Sequence, residues 1–210
     1  DRASRRPAAL LIDLDETVLT FDSASPEAWR GVLRDFESRL DGLDETHALL
    51  TIIAVERRFW SDPDRHRRGR LDFEWAWRRT SSGALRELGI ADEALAGEMA
   101  GSYTARRREL VTPLPGALGA LGALRQSGIA MALVTNGNAE WQRWKIDKFE
   151  VGRYFDAIVN EGELGFGKPI AAIPRPPRPA TATTPGCSQC GWTARAKGFP
   201  TTRPPCPTAA

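Results

Sequence analysis

The chain has 210 residues, 41% of them hydrophobic and 27% charged, a make-up that excludes wholesale disorder and is large enough to bury one sizeable core. Its net charge of +2 hides a split: residues 1–163 hold all 27 acids and 23 of the 29 bases, net −4, whereas residues 164–210 carry +6. A net-negative body argues against nucleic-acid binding, and no apolar run approaches the ~20 residues of a membrane span.

The basic start DRASRRP leads into a run broken by Asp13 rather than into a signal-peptide core, so cytoplasm is the expected compartment. From Ala8 to Ile12 the residues are apolar without alternation, which predicts a central parallel strand buried on both faces. Thr17 to Phe21 read as an extended or turn-forming piece. A helix is expected from near Ser25, with Pro26 and Glu27 in its first turn and Trp29, Val32, Leu33, Phe36 and Leu40 along one stripe. Residues 46–60, 70–89 and 92–110 are three more helix candidates, which together make an all-helical insert of about ninety residues.

The pattern changes at VTPLPGALGALGALRQSG, where two prolines close the insert and a small-residue helix stops at Gly128. IAMALVT is a second buried strand, NGN a turn, a helix begins near Glu140, and FDAIVN is a third, shorter strand. Strand, helices, strand, helix, strand predicts a parallel α/β sheet carrying a helical insertion. After Pro169 the character fails: nine of the 15 prolines, no acid and no period predict a disordered tail over 170–210.

Chemistry is concentrated at two strand ends and one loop. Ligands of an open parallel sheet gather at the carboxyl ends of its strands, and there Asp13 and Asp15 close the first. Two carboxylates facing one pocket need a divalent cation between them, or one must take up a proton. Thr135, Asn136 and Gly137 close the second strand with a hydroxyl, an amide and backbone N–H groups, the parts that hold a phosphate at a strand-to-helix turn. Lys168, in GFGKP, adds a positive charge on a glycine-rich loop.

DLDETVL, VTNG and GKP, in this order and spacing, resemble motifs one, two and three of the haloacid dehalogenase (HAD) superfamily. The resemblance spans residues 8–169 and includes the approach PLPGALGALGAL and the exit YFDAIVNEGELGFGKP. It implies a Rossmann-like core from residues 1–21 and 113–169 with a helical cap at 22–112, similar to that of the phosphoglycolate phosphatase-like group. It implies Asp13 as the nucleophile that forms an aspartyl-phosphate, and Asp15 as general acid and then base. Dehalogenases resemble this pattern at the first Asp but lack the second, because halide needs no proton. Thr135, Asn136, Gly137 and Lys168 would bind the phosphoryl group. Mg²⁺ would be held by the Asp13 carboxylate and the Asp15 carbonyl.

One departure concerns motif four, an acidic pair that completes the metal shell in the family: no acid follows Glu163. The metal site and the C-terminal part of the sheet are therefore expected to be incomplete, and the tail resembles a GC-rich gene read out of frame. The expected function is a Mg²⁺-dependent phosphatase of a small phosphorylated metabolite, inactive if the missing acids are not replaced. The alternatives are a non-catalytic phosphate-binding remnant or a haloacid dehalogenase-like hydrolase. A small phosphorylated substrate is the one partner expected, with no nucleic acid and no membrane.

Plainer readings stand beside these. The Asp pair can be a capped turn, Thr135–Gly137 an ordinary helix cap, and Lys168 a surface lysine. Phe59, Trp60, Phe73, Trp75 and Trp77 read as cap core before they read as a pocket. RRFWSDPDRHRRGR reads as a solvated loop, and His47 and His66 as surface or cap residues. Cys187, Cys190 and Cys206 offer three zinc ligands where a structural site needs four, so a zinc-binding tail is a weaker rival.

Overall fold

The computed structural model describes residues 7–40 and 42–169; the predicted tail and its cysteines lie outside the described residues. Three parallel strands form one sheet in the order β1 (Ala9–Ile12), β2 (Ala130–Thr135), β3 (Ala157–Asn160). Ala9 pairs with Ala130 and Ile12 with Leu133, and Thr135 pairs with Asn160 on the other side. This register brings the carboxyl ends of β1 and β2 together, with Asp13 and Thr135 each at a strand's end.

Among the described residues five α-helices follow β1 before the chain returns at Thr112: α1 (Ser25–Asp35), α2 (Glu45–Ser61), α3 (Pro63–Gly69), α4 (Phe73–Glu87) and α5 (Glu93–Leu110). Their starts are written in side chains, because Asp44, Asp62, Asp72 and Asp92 each accept from a backbone N–H of the turn that follows. Each such cap contributes ~1 kcal/mol. Asp62 followed by Pro63 is such a start signal, and it corrects the loop expected at RRFWSDPDRHRRGR: Pro63–Gly69 is helical. The α1 stripe is also shorter than expected. The helix ends at Asp35, and Leu40 reaches the core from a short turn beyond it.

The first strand differs from expectation too. Its unbroken apolar run predicts burial on both faces, yet Leu11 is 55% exposed. Among the described residues β1 pairs with β2 alone and forms an edge of the sheet. Of the remaining helices, α6 (Ala117–Gln126), with Gly128 at φ +74 just past its end, and α7 (Ala139–Lys148), capped by Asn138, follow the sequence closely, whereas the short α8 (Glu161–Leu164), started by the Asn160 side chain accepting from Gly162 N–H, is not among the expected helices.

Two chain segments connect the five helices to the sheet, and they run side by side. Thr20 N–H donates to the Thr112 carbonyl (2.8 Å), Thr112 N–H to Thr20 Oγ1 (2.9 Å), and Leu114 N–H to the Val18 carbonyl (2.9 Å). A continuous apolar core runs from Leu14 and Leu19 through Trp29 and Tyr103 to Met131 and Leu133. The helices are therefore packed into the same core as the sheet end that carries the aspartates.

Candidate active site

All six residues singled out in the sequence, Asp13, Asp15, Thr135, Asn136, Gly137 and Lys168, line one cavity of about 570 Å³. Lys168 Nζ lies 2.6 Å from Asp13 Oδ2. The other oxygen, Oδ1, accepts the Leu14 N–H at 2.8 Å, which fixes the Asp13 carboxylate at the mouth of β1. A tight turn follows, with Val18 and Leu19 donating to the Leu14 carbonyl and Glu16 to that of Leu19. It puts Glu16 at φ +52, and Glu16 in turn accepts from Phe21 N–H, Ser23 N–H and Ser23 Oγ. This turn swings Asp15 back to the cavity that Asp13 faces.

Asp15 has partners that the motif reading missed. Its Oδ1 is ion-paired with Lys145, a lysine with no exposed side-chain surface, and its Oδ2 accepts from Gln142 Nε2 at 3.0 Å. Both partners sit on α7, one turn apart. Burial pushes the Lys145 ammonium's pKa down, and the Asp15 carboxylate opposes that shift. A signal was available, since Trp141, Lys145 and Ile146 share the buried face of α7, and a lysine on an apolar face asks for a partner.

The loop residues are locked rather than loose. Asn136 Nδ2 donates to the Lys168 carbonyl (2.9 Å) and Lys168 N–H donates to Asn136 Oδ1 (2.8 Å). The Asn136 side chain therefore joins the β2 turn to the lysine loop, a different use from the phosphate contact expected of it. Gly167 has to be glycine here, because a Cβ would fall 2.6 Å from Asn136 Oδ1 and from the Glu161 carboxyl carbon. Glu161 is buried, accepts from Gly137 N–H at 3.0 Å, and takes a forked contact from Arg70 on the far side of α3 (2.6–3.0 Å). Arg70 also lies 3.1 Å from His66 Nδ1, so this exposed histidine is on the cavity rim and His47 is not.

The aromatic candidates divide. Trp60, Phe73 and Trp77 line the cavity that holds Asp13, whereas Phe59 and Trp75 line a separate one with Arg58 and Arg79. Phe73 and Trp77 are also buried in the core, so they serve both readings.

The profile of haloacid dehalogenase-like hydrolases matches residues 7–175. The chain belongs to that family. It is 28% identical over 171 residues to the pyrimidine 5'-nucleotidase YjjG of Escherichia coli (strain K12), a match covering 78% of this chain and 67% of that one. A 39% match to a phosphoserine phosphatase of Thermus thermophilus covers 87 residues, 41% of this chain and 34% of the relative. Among solved structures, the HAD-hydrolase YfnB of Bacillus subtilis, crystallised with magnesium, superposes with a TM-score of 0.59 at 22% identity over 79% of this chain and 68% of that one. The family's hydrolase fold is thus carried on an α/β sheet with a helical layer inserted after its first strand. Among the described residues no helix is long and apolar enough to cross a membrane.

Proposed function

We propose that this HAD-family chain hydrolyses the phosphate monoester of a small metabolite through an aspartyl-phosphate on Asp13. The observation that carries the reading is the pairing at the strand end. The Asp13 carboxylate sits 2.6 Å from the Lys168 ammonium, and Asp15 faces the same cavity from a separate cationic partner. A lone nucleophilic carboxylate would serve C–halogen chemistry equally well. A second carboxyl two residues on supplies the proton that an alkoxide leaving group needs. The two relatives described above, a nucleotidase and a phosphatase, agree with phosphate ester chemistry.

In this mechanism an Asp13 oxygen forms a bond to phosphorus as the bond from phosphorus to the ester oxygen breaks. Asp15, entering this step as the neutral acid, gives its proton to that leaving oxygen, and the alcohol departs, leaving the Asp15 carboxylate paired with Lys145. The Asp15 carboxylate then takes a proton from a water that attacks phosphorus; the bond to Asp13 breaks and inorganic phosphate leaves. Lys168 offsets charge on the phosphoryl oxygens and Asp13, while the Thr135 hydroxyl and the Asn136 backbone hold the group in place; the Gly137 N–H is committed to Glu161, which sets the shape of the turn. Lys145 and Gln142 aim Asp15 by holding one carboxyl oxygen each.

Mg²⁺ fits the donor chemistry in part. The Asp13 carboxylate is a hard oxygen donor, and none of the turn's hydrogen bonds uses the Asp15 carbonyl; Mg²⁺ accepts one or two carboxylates when water and phosphate oxygens supply the rest. When bound it would offset charge developing on the phosphoryl group. The described residues contain no cluster of three or more His, Cys, Asp or Glu placed to hold a metal. The second reading is phosphate binding at Thr135 and Lys168 without turnover.

Magnesium-dependent hydrolysis of p-nitrophenyl phosphate by the full chain and by Asp13→Asn separates the two. Activity that disappears in the variant and on chelation supports the phosphatase. Saturable binding of inorganic phosphate with no release of nitrophenol in either protein supports the binding remnant.

A further inference from the structure

Beyond the six site residues the same cavity reaches a polar cluster under the helical layer that the chemistry above does not use. Arg107, on α5, is 3% exposed and lies 4.1 Å from the centre of the Phe21 ring. Its Nη1 donates to the Tyr103 hydroxyl at 2.5 Å, and its Nε is buried without a partner. The carboxylate it faces, Asp22, is 4.0 Å from Nη2, outside hydrogen-bond reach. A buried guanidinium with unfilled donors is costly, and a ligand that supplies acceptors recovers that cost.

Arg107 does not stand alone. The Tyr103 hydroxyl meets Ser25 Oγ at 2.8 Å, and Ser25 Oγ donates to Glu56 Oε2 at 3.0 Å. The Tyr103 hydroxyl also lies 3.4 Å from Glu56 Oε1, so Glu56 and Arg107 are joined through Tyr103 and Ser25, which fixes an acceptor and a donor relative to each other. The walls around them are the rings of Phe21, Trp60, Phe73 and Trp77. Aromatic walls favour a flat π face. A fixed donor beside a fixed acceptor matches the edge of a heteroaromatic ring in which a carbonyl adjoins an N–H. At about 570 Å³ the cavity is of the size that encloses a ligand of many heavy atoms, well beyond a phosphate with a two-carbon alcohol.

We propose that Glu56 and Arg107 read the edge of a nucleobase, so that the leaving group is a nucleoside and the substrate a nucleoside monophosphate. The proposal rests on the phosphatase reading for the placement of the phosphoryl group at Asp13 and Lys168. Arg107 donates to a ring carbonyl, Glu56 accepts from a ring N–H, and the base lies between the aromatic walls.

Binding to the full chain carrying Asp13→Asn, in which nothing turns over, tests this directly. Uridine 5'-monophosphate, ribose 5-phosphate and phosphoserine are titrated by calorimetry, then titrated again with Arg107→Met or Glu56→Gln added. The expected result is that the nucleotide binds at least tenfold tighter than ribose 5-phosphate and that each added substitution cuts this ratio at least fivefold. Partial unfolding weakens both ligands together, so it does not move the ratio. A ratio near one, a ratio insensitive to both substitutions, or tighter binding of phosphoserine overturns the proposal. Base-dependent binding in a wild-type chain that hydrolyses no phosphate ester overturns the phosphatase reading, and with it the leaving-group assignment, while upholding the contact of Glu56 and Arg107 with the base.

Discussion

Lys145 and Asp15, 130 residues apart in the chain, form an ion pair in which the lysine is wholly buried and the aspartate is 24% exposed. The pair fastens α7 to the turn after β1. Lys145→Met is expected to lower kcat/KM for an alkyl phosphate by about 10- to 100-fold, because Asp15 loses one of its two anchors. It should cost about 1–3 kcal/mol of stability, less than the full penalty of a broken buried pair, since Asp15 can partly rehydrate. Adding Asp15→Asn to Lys145→Met should return part of that stability, which chemical denaturation of the four proteins of the cycle measures.

Asp13→Asn is expected to remove at least about 10³-fold of any hydrolysis, with a thermal midpoint close to that of the parent. The Asp13 side chain is 45% exposed, so its charge adds little to folding. A variant that keeps a tenth of the parental rate would end Asp13's assignment as nucleophile.

Arg70 and Glu161 tie the helical layer to the β2 turn. A double-mutant cycle of Arg70→Met and Glu161→Gln should show a coupling of about 1–3 kcal/mol, because Glu161 is 5% exposed at its side chain and the contact is forked. Glu161→Gln should also weaken phosphate binding, since the same carboxylate holds the Gly137 N–H. Additive effects would show that the two residues do not share one contact.

Glu56 gives a pH signature. Desolvation by burial is the largest cause that pushes its pKa above 4.5, against the hydrogen bonds from Ser25 and Tyr103. A carboxyl with a raised folded-state pKa stabilises the fold below its unfolded value and loses that contribution as pH rises through the folded value. Glu56→Gln should therefore match the parent below pH 4.5 and exceed its stability at neutral pH. A stability difference that does not change between pH 4 and 8 would remove burial as the dominant influence.

Gly167→Ala should destabilise by about 1–3 kcal/mol through overpacking. It should lower activity further by disturbing the clamp between Asn136 and Lys168, whereas Gly119→Ala, where a Cβ meets nothing within 4 Å, should be tolerated. Equal melting points for the two variants would show that the loop yields freely.

Much of this site was legible because its signals are local. Asp13 and Asp15 interrupt an apolar strand, VTNG ends the second strand, and Lys168 follows a glycine pair, so each can be read within a few residues. Arg70 and Glu161, or Lys145 and Asp15, become partners only when segments 91 to 130 residues apart are folded together, and no local period announces that. The loop expected at residues 57–70 failed for a different reason: its charge density outweighed the Asp62–Pro63 start signal, though capping decides helix starts locally. Leu11 departs from expectation because the composition of a strand does not say whether both faces of its sheet are covered along its whole length.

The paired segments around Thr20 and Thr112 have a consequence for rebuilding the protein. Since the chain leaves the sheet and returns to it at hydrogen-bonding distance, the ends of a replacement insert already sit where a short turn could join them. A replacement spliced between those two threonines would meet the geometry of the joint, but it would also have to supply the apolar face that Trp29 and Tyr103 contribute to the core shared with Leu14 and Leu19. The joint is thus permissive where the packing beneath it is demanding.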